Sequence, residues 1–229
     1  MKETSIGILL QGDVRGWTIP IIEEHQQNFP DCEIVLSTWD DEDVSDIPCK
    51  VVQTKVPKPT QPYKSSKNYQ VIGSRSGLNS MKSDTILKTR TDIFMHNPNI
   101  FKIFFSENTE KKIMYAHLGL VKEFRDYWIN DFCQLSSKET LLNFWNSIPL
   151  HDGSDNEAVE KYLTRNYLKN KPDNDISWKK IHDRYFIRKR FYEDFQIEFE
   201  KFVCLESYQD NLLFAASEDP NDKLIPYSN

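Results

Sequence analysis

Lys88, Arg90 and Asp92 recur at every second position in the stretch Asp84–Met95. At strand periodicity their side chains leave one face. Ile86 and Leu87 beside Thr85, with Ile93-Phe94-Met95 further on, give the stretch the apolar and β-branched character of a buried strand. Two cations and a carboxylate on one face of a core strand need a chemical reason, because a buried charge is costly unless paired. The plain reading is an ion pair of Asp92 with Arg90 or Lys88 at a strand end. The sharper reading is a site for a doubly charged phosphate and its metal. Lys88 and Arg90 would take phosphate oxygens. Asp92 would be the hard oxygen ligand that Mg2+ or Mn2+ prefers.

Such a strand needs a sheet around it. The run from Ser5 to Leu10 predicts a buried strand that ends at the turn Gln11-Gly12-Asp13. Thr18 can cap a helix whose first turn suits Pro20, with Ile22, Gln26 and Phe29 at helical spacing and Pro30-Asp31 as its stop. Strands are predicted at 33–39 and 50–54. Strand, helix, strand at this spacing is a βαβ unit and implies a parallel sheet with a right-handed crossover. Ligands of open α/β sheets bind outside the carboxyl ends of the strands. That rim holds Gln11, Gly12, Ser37, Thr38, Trp39 and Asp40. Turn chemistry is the plain alternative for Ser37 and Thr38, and core packing for Trp39.

Pro57, Pro59 and Pro62 predict an extended loop, followed by a helix from Asn68 with Val71, Ser74, Leu78 and Met81 on one stripe. Gly73, Ser74 and Gly77 on it permit close approach to the sheet or a ligand. Lys111–Ala116 reads as a further strand, and 127–135 as a loop with a short strand. Ser136 with Glu139, and Ser154 with Glu157, each form a capping box before a helix. Between Lys179 and Arg190 the chain is basic with Tyr185, Phe186, Phe191 and Tyr192 interleaved or adjoining. A solvated helix face over an aromatic stripe is the favoured reading. Contact with an anionic membrane surface or a phosphorylated acceptor is the minority one.

The chain has 229 residues, of which 38% are hydrophobic and 13% aromatic, enough for one ring-rich core. A net charge of -6 argues against general nucleic-acid binding, which wants a basic footprint. Cys32, Cys49, Cys133 and Cys204 show no C-x-x-C and read as free thiols of a reducing compartment. With no signal peptide and no apolar run of membrane-spanning length, the expectation is a cytoplasmic protein, with the inner membrane face as a further option. Neither G-x-G-x-x-G nor a P-loop is present, which argues against a Rossmann dinucleotide site and a Walker-type ATPase.

Several segments occur in a characteristic order: Ile8-Leu9-Leu10-Gln11-Gly12, Phe29-Pro30-Asp31 leading into Ser37-Thr38-Trp39, Asn68-x-Gln70 with Gly77-Leu78, and Leu87-Lys88-Thr89-Arg90-Thr91-Asp92. Together they resemble the WavE-type lipopolysaccharide-synthesis proteins, from residue 5 to about 165 and through Asp131-Phe132, Glu157 and Tyr162-Leu163. The resemblance implies an α/β fold of the GT-A-like, Rossmann-like kind. Its mainly parallel twisted sheet would carry helices on both faces and a helical C-terminal extension. Residues 1–170 would be the nucleotide-sugar-binding and catalytic domain, and 171–229 the extension packed on it.

The implied activity is sugar transfer from a nucleotide-sugar donor to a surface polysaccharide, lipopolysaccharide or other lipid-linked saccharide acceptor. Gln11, Gly12, Ser37, Thr38, Trp39, Asn68, Gln70, Lys88 and Arg90 would bind the donor. Asp92 would hold a divalent metal, Mn2+ or Mg2+. GT-A enzymes usually carry Asp-x-Asp at that point. Here Arg90-Thr91-Asp92 replaces one carboxylate by a cation, so Arg90 would share in neutralising the diphosphate. An inverting reaction also needs a base on the acceptor hydroxyl; Asp131 is the first candidate and Glu157 the second. A non-catalytic binding or scaffolding domain and a sugar nucleotidyltransferase are the alternatives. The second would want a glycine-rich loop after the first strand, where 11–16 has only two glycines.

Overall fold

The computed structural model describes residues 4–107, 111–117, 126–169, 171–172 and 177–200. Strands β1 (Ile6–Gln11), β2 (Glu33–Trp39) and β3 (Lys50–Thr54) fall where the apolar runs place them. They join β4 (Thr85–Arg90), β6 (Ile113–His117), β7 (Gln134–Ser137) and β8 (Phe186–Arg190) in one seven-stranded sheet of order β3-β2-β1-β4-β7-β6-β8. The neighbouring pairs among β1 to β4 are parallel, as is β6 with β8, and β7 runs antiparallel to both β4 and β6. The sheet is therefore mainly parallel, as expected.

Alternation along the strands feeds two cores. Ile8, Leu10, Leu36 and Leu87 face one, packed by α1 (Thr18–Asn28) through Ile21 and Ile22 and by α3 (Ile100–Ser106) through Phe101 and Phe104. Leu9, Val35 and Ile86 face the other, packed by α2 (Lys67–Ser80), α4 (Lys138–Ser147), α5 (Val159–Leu168) and α6 (Trp178–Tyr185). Burial on both faces explains why β1 and β2 read as continuous apolar runs. Gly77 lets α2 lie close on the sheet, because a Cβ there would sit 2.3 Å from Leu9 Cδ1.

Four expectations need correction. The stretch 84–95 is two strands, because the chain turns at Thr91-Asp92 and β5 (Ile93–Met95) leaves to pair with β9 (Ile197–Phe199). Asp92 thus sits in a turn, outside the face that Lys88 and Arg90 share. Among the described residues of the C-terminal segment, helix covers 178–185, and β8 forms an edge of the main sheet, so the described part of the extension is not wholly helical. Its Arg188-Lys189-Arg190 suits an edge strand, where charge protects open backbone groups. The first capping box is shifted by one residue, since Ser137 Oγ accepts from the Thr140 backbone N–H. The second does not form, because α5 starts at Val159 after Ala158. Cys204 and the rest of 201–229 lie outside the described residues.

Candidate active site

Where β1, β2 and β4 end, their parallel directions open a cleft of about 600 Å³. Gln11, Gly12, Trp39, Gln70, Arg90 and Asp92, all singled out in the sequence, line it. Gly12 turns the chain out of β1 with φ +139°, a conformation that favours glycine, and a Cβ there would meet Thr91 Oγ1 at 2.8 Å. Trp39 closes one side: its indole N–H donates to Asp13 Oδ1 at 2.7 Å and its ring meets Tyr69 edge-on at 5.2 Å.

The acids and cations of the cleft are tightly coupled. Arg90 donates through Nε and Nη2 to the two oxygens of Asp92, at 2.8 and 2.7 Å. Arg15 Nη1 lies 3.8 Å from Asp92 Oδ2, and Arg15 Nη2 lies 3.7 Å from Asp13 Oδ2. Burial alone would lower the Arg90 guanidinium, but the hydrogen bond and charge of Asp92 outweigh it and hold it above its usual value. The Arg90 side chain is one quarter exposed, and its guanidinium carbon stands 5.1 Å from the Phe199 ring centroid.

Sequence reasoning missed Arg15, Asp13, Lys64, Ser65, Ser66 and Tyr69 as cleft residues. Arg15 and Asp13 follow β1 directly, so the rule that ligands meet the carboxyl ends of strands could have found them. Lys64, Ser65 and Ser66 come from the loop entering α2 and Tyr69 from its first turn, whose docking only the fold reveals.

Other expected residues stand behind the cleft wall. Ser37 Oγ donates to the Gly73 carbonyl at 2.8 Å, and Thr38 is fully buried. Asn68 clamps residue 151 from both sides, donating to the His151 carbonyl at 2.9 Å and accepting its N–H at 2.7 Å. Lys88 is fully buried, donates to the Asp131 carbonyl at 2.6 Å and lies 4.9 Å from the centroid of the Trp145 ring. Burial pushes the Lys88 ammonium down to about 8, against the pull of Asp131. None of these four lines the cleft.

The two candidate bases part company. Asp131 is buried, its charge acts on both Lys88 and Arg90, and its Oδ2 has no hydrogen-bond partner among the described residues. Glu157 instead pairs with Arg165 at 2.7 Å and lines a second cavity with Asp155 and Tyr162.

A divalent metal at Asp92 does not fit this donor set. Both oxygens of that carboxylate already accept from one guanidinium. Among the described residues no three His, Cys, Asp or Glu side chains gather into a metal-binding group. Among the described residues no helix is long and apolar enough to cross a membrane.

Solved structures of similar shape share little sequence. A glycosyltransferase involved in the glycosylation of the major capsid of PBCV-1 is 10% identical, over 92% of this chain and 98% of that one, with a TM-score of 0.44. Glucosyl-3-phosphoglycerate synthase from Mycobacterium tuberculosis, in complex with Mn2+, uridine diphosphate and phosphoglyceric acid, is 13% identical over 73% and 65%, with a TM-score of 0.47. HddC from Yersinia pseudotuberculosis is 10% identical over 81% and 90%, with a TM-score of 0.42. No curated protein matches the chain by sequence. The model of the family described as WavE lipopolysaccharide synthesis matches residues 8–213, and the chain belongs to that family.

Proposed function

We propose that this chain is a glycosyltransferase of surface-polysaccharide or lipopolysaccharide synthesis that takes its sugar from a nucleotide-sugar bound in the cleft at the ends of β1, β2 and β4. The observation that carries this reading is the pairing of guanidinium groups, Arg15 and Arg90, with the aromatic wall of Trp39 and Tyr69 in one cavity. Guanidinium groups suit phosphate oxygens, and an aromatic wall suits a nucleoside.

In the reaction, the bond between the anomeric carbon and the donor phosphate oxygen breaks, and the nucleoside diphosphate leaves with the electron pair. Arg90, already fixed beside the leaving group by Asp92, stabilises its growing charge without reorganising. An acceptor hydroxyl oxygen forms the new bond, and its proton passes to a carboxylate. We assign that carboxylate to Asp131, a buried acid whose charge acts on Lys88 and Arg90 and whose Oδ2 has no hydrogen-bond partner among the described residues; it stands behind the cleft lining, so the acceptor has to open the wall beside it. Gln70, which lines the cleft and whose buried Oε1 has no hydrogen-bond partner among the described residues, is the residue we assign to donor hydroxyls. The acceptor is a saccharide or lipid-linked saccharide, and the place of action is the cytoplasmic side, where peripheral contact with the inner membrane would bring the acceptor to the enzyme.

A thermal-shift screen of nucleoside diphosphates tests the reading, because a ligand that binds only the native state raises its stability. At least one should raise the melting temperature. A second reading, a non-catalytic donor-binding scaffold, draws on the closed Arg90–Asp92 fork; a scaffold would bind donors and never hydrolyse them.

A further inference from the structure

We infer that the cleft neutralises the departing diphosphate with two guanidinium groups, Arg90 held in place by Asp92 and the more mobile Arg15, and requires no divalent metal. This rests on the glycosyltransferase reading of the same cleft and specifies how it works.

The argument begins with the carboxylate oxygens. Asp13 and Asp92 are the acids that line the cleft among the described residues. Both oxygens of Asp92 accept from Arg90, and Oδ2 also faces Arg15. Asp13 Oδ1 accepts from the Trp39 indole, and its Oδ2 faces Arg15. All four oxygens therefore point at a donor or a cation. Mg2+ needs oxygen ligands at about 2.0–2.1 Å in near-octahedral array, usually including one or two carboxylates. An ion bound to Asp92 would sit against a guanidinium of like charge, and would first have to open the fork.

The same contacts give Asp92 a different task. A guanidinium has five N–H donors in a planar fork. Asp92 takes two of them, and the ring of Phe199 lies beside the plane. The remaining donors are held at a fixed angle in a cleft-lining side chain. Asp92 is then a positioning residue for Arg90. Its burial is consistent with this, because a paired buried carboxylate is an effective anchor whereas a metal ligand must present a lone pair to the cleft. Arg15 is the looser partner. It is nearly half exposed and spans Asp13 and Asp92 at 3.7 and 3.8 Å, beyond hydrogen-bond length. A diphosphate entering the cleft offers it stronger acceptors than either carboxylate now does.

Calorimetric titration of UDP, GDP, CDP, ADP and dTDP, each in EDTA and in Mn2+, tests this, with electron paramagnetic resonance of Mn2+ added to the protein alone. We expect at least one nucleoside diphosphate to bind in EDTA, Mn2+ to change its Kd less than about three-fold, and no Mn2+ to bind the protein alone. Arg15→Ala, a change at an exposed loop position, should weaken binding in EDTA by about ten-fold, or about 1.4 kcal/mol. Asp92→Asn should weaken binding equally in EDTA and in Mn2+, as loss of a positioning group would. Tight binding confined to Mn2+, or a Mn2+ effect abolished by Asp92→Asn, would overturn the inference and leave the glycosyltransferase reading standing. Unchanged affinity in Arg15→Ala would overturn the part given to Arg15. Absence of binding by every nucleotide in both conditions would overturn the glycosyltransferase reading and this inference with it.

Discussion

Arg90 holds both carboxylate oxygens of Asp92, two residues further along the chain, at 2.8 and 2.7 Å. The pair forms because β4 stops at Arg90 and the backbone turns at Thr91-Asp92. One side of the pair is open to the cleft, while Asp92 itself is almost completely buried. The contact is thus a structural anchor that also fixes the direction of a cleft-lining guanidinium.

Removing Arg90 should cost affinity and stability together. Arg90→Ala should weaken binding of nucleoside diphosphate by roughly ten-fold or more. It also leaves a buried carboxylate with Arg15 as its remaining ion-pair partner among the described residues, so it should destabilise the fold by about 3 kcal/mol. Arg90→Ala combined with Asp92→Ala should recover part of that stability and none of the affinity. Calorimetry and urea denaturation check the two halves. Full stability in Arg90→Ala alone would mean that Asp92 does not depend on it.

Lys88 is expected to behave differently, although it shares the strand face with Arg90. Its ammonium reaches the Asp131 carbonyl behind the cleft wall. Lys88→Met should leave donor affinity within about two-fold, and leave a buried carbonyl unpaired at a cost of roughly 1–3 kcal/mol. Transfer should fall, because the backbone at Asp131 loses its anchor. A ten-fold loss of donor affinity at unchanged melting temperature would instead make Lys88 a direct phosphate ligand.

The sheet and its functional rim were legible from residue order, and the break after Arg90 was not. Apolar runs at 6–11 and 33–39 mark β1 and β2 because both faces are buried, and Val51-Val52 marks β3 at the sheet edge. The pattern of 84–95 looks continuous, since Ile93-Phe94-Met95 is as strand-like as Ile86-Leu87. Only the partner β9, about a hundred residues away in sequence, shows that it belongs to another sheet. β8 was hidden for a similar reason. Its pairing with β6 is non-local, and its arginines and lysine read as a solvated helix. At the site, strand ends pointed to Gln11, Trp39 and Asp92. The α2 entry loop, with Lys64, Ser65 and Ser66, carries no local signal that it docks across the cleft.

The acid limb of stability should be set in part by His25. This side chain is buried with neither ring nitrogen partnered among the described residues. Burial, with His96 adding to it, pulls it down to about 4 from 6.5. A pKa lowered by folding means that its stabilising contribution is complete above pH 6.5 and is lost as pH falls through about 4. Over that window the wild type should lose up to about 3 kcal/mol more than His25→Leu, by urea denaturation at a series of pH values. Parallel curves for the two proteins would contradict a neutral, buried His25.

The two acids outside the cleft should separate cleanly. Asp131→Asn should leave donor binding unchanged and cut transfer by roughly 10²–10⁴-fold, the usual worth of a positioned general base. Glu157→Gln removes a partner of exposed Arg165, and should change stability by less than about 1 kcal/mol and spare turnover. Loss of transfer in Glu157→Gln with full activity in Asp131→Asn would reverse the assignment.

The most direct measurement is release of nucleoside diphosphate from a panel of UDP-, GDP-, CDP-, ADP- and dTDP-linked sugars, followed by chromatography. The wild type and Glu157→Gln should turn over the same donor at equal rates, and Arg15→Ala should do so at least about ten-fold more slowly. Release that survives Arg15→Ala undiminished, or no release from any donor with or without added metal, would contradict a catalytic donor site at the ends of β1, β2 and β4.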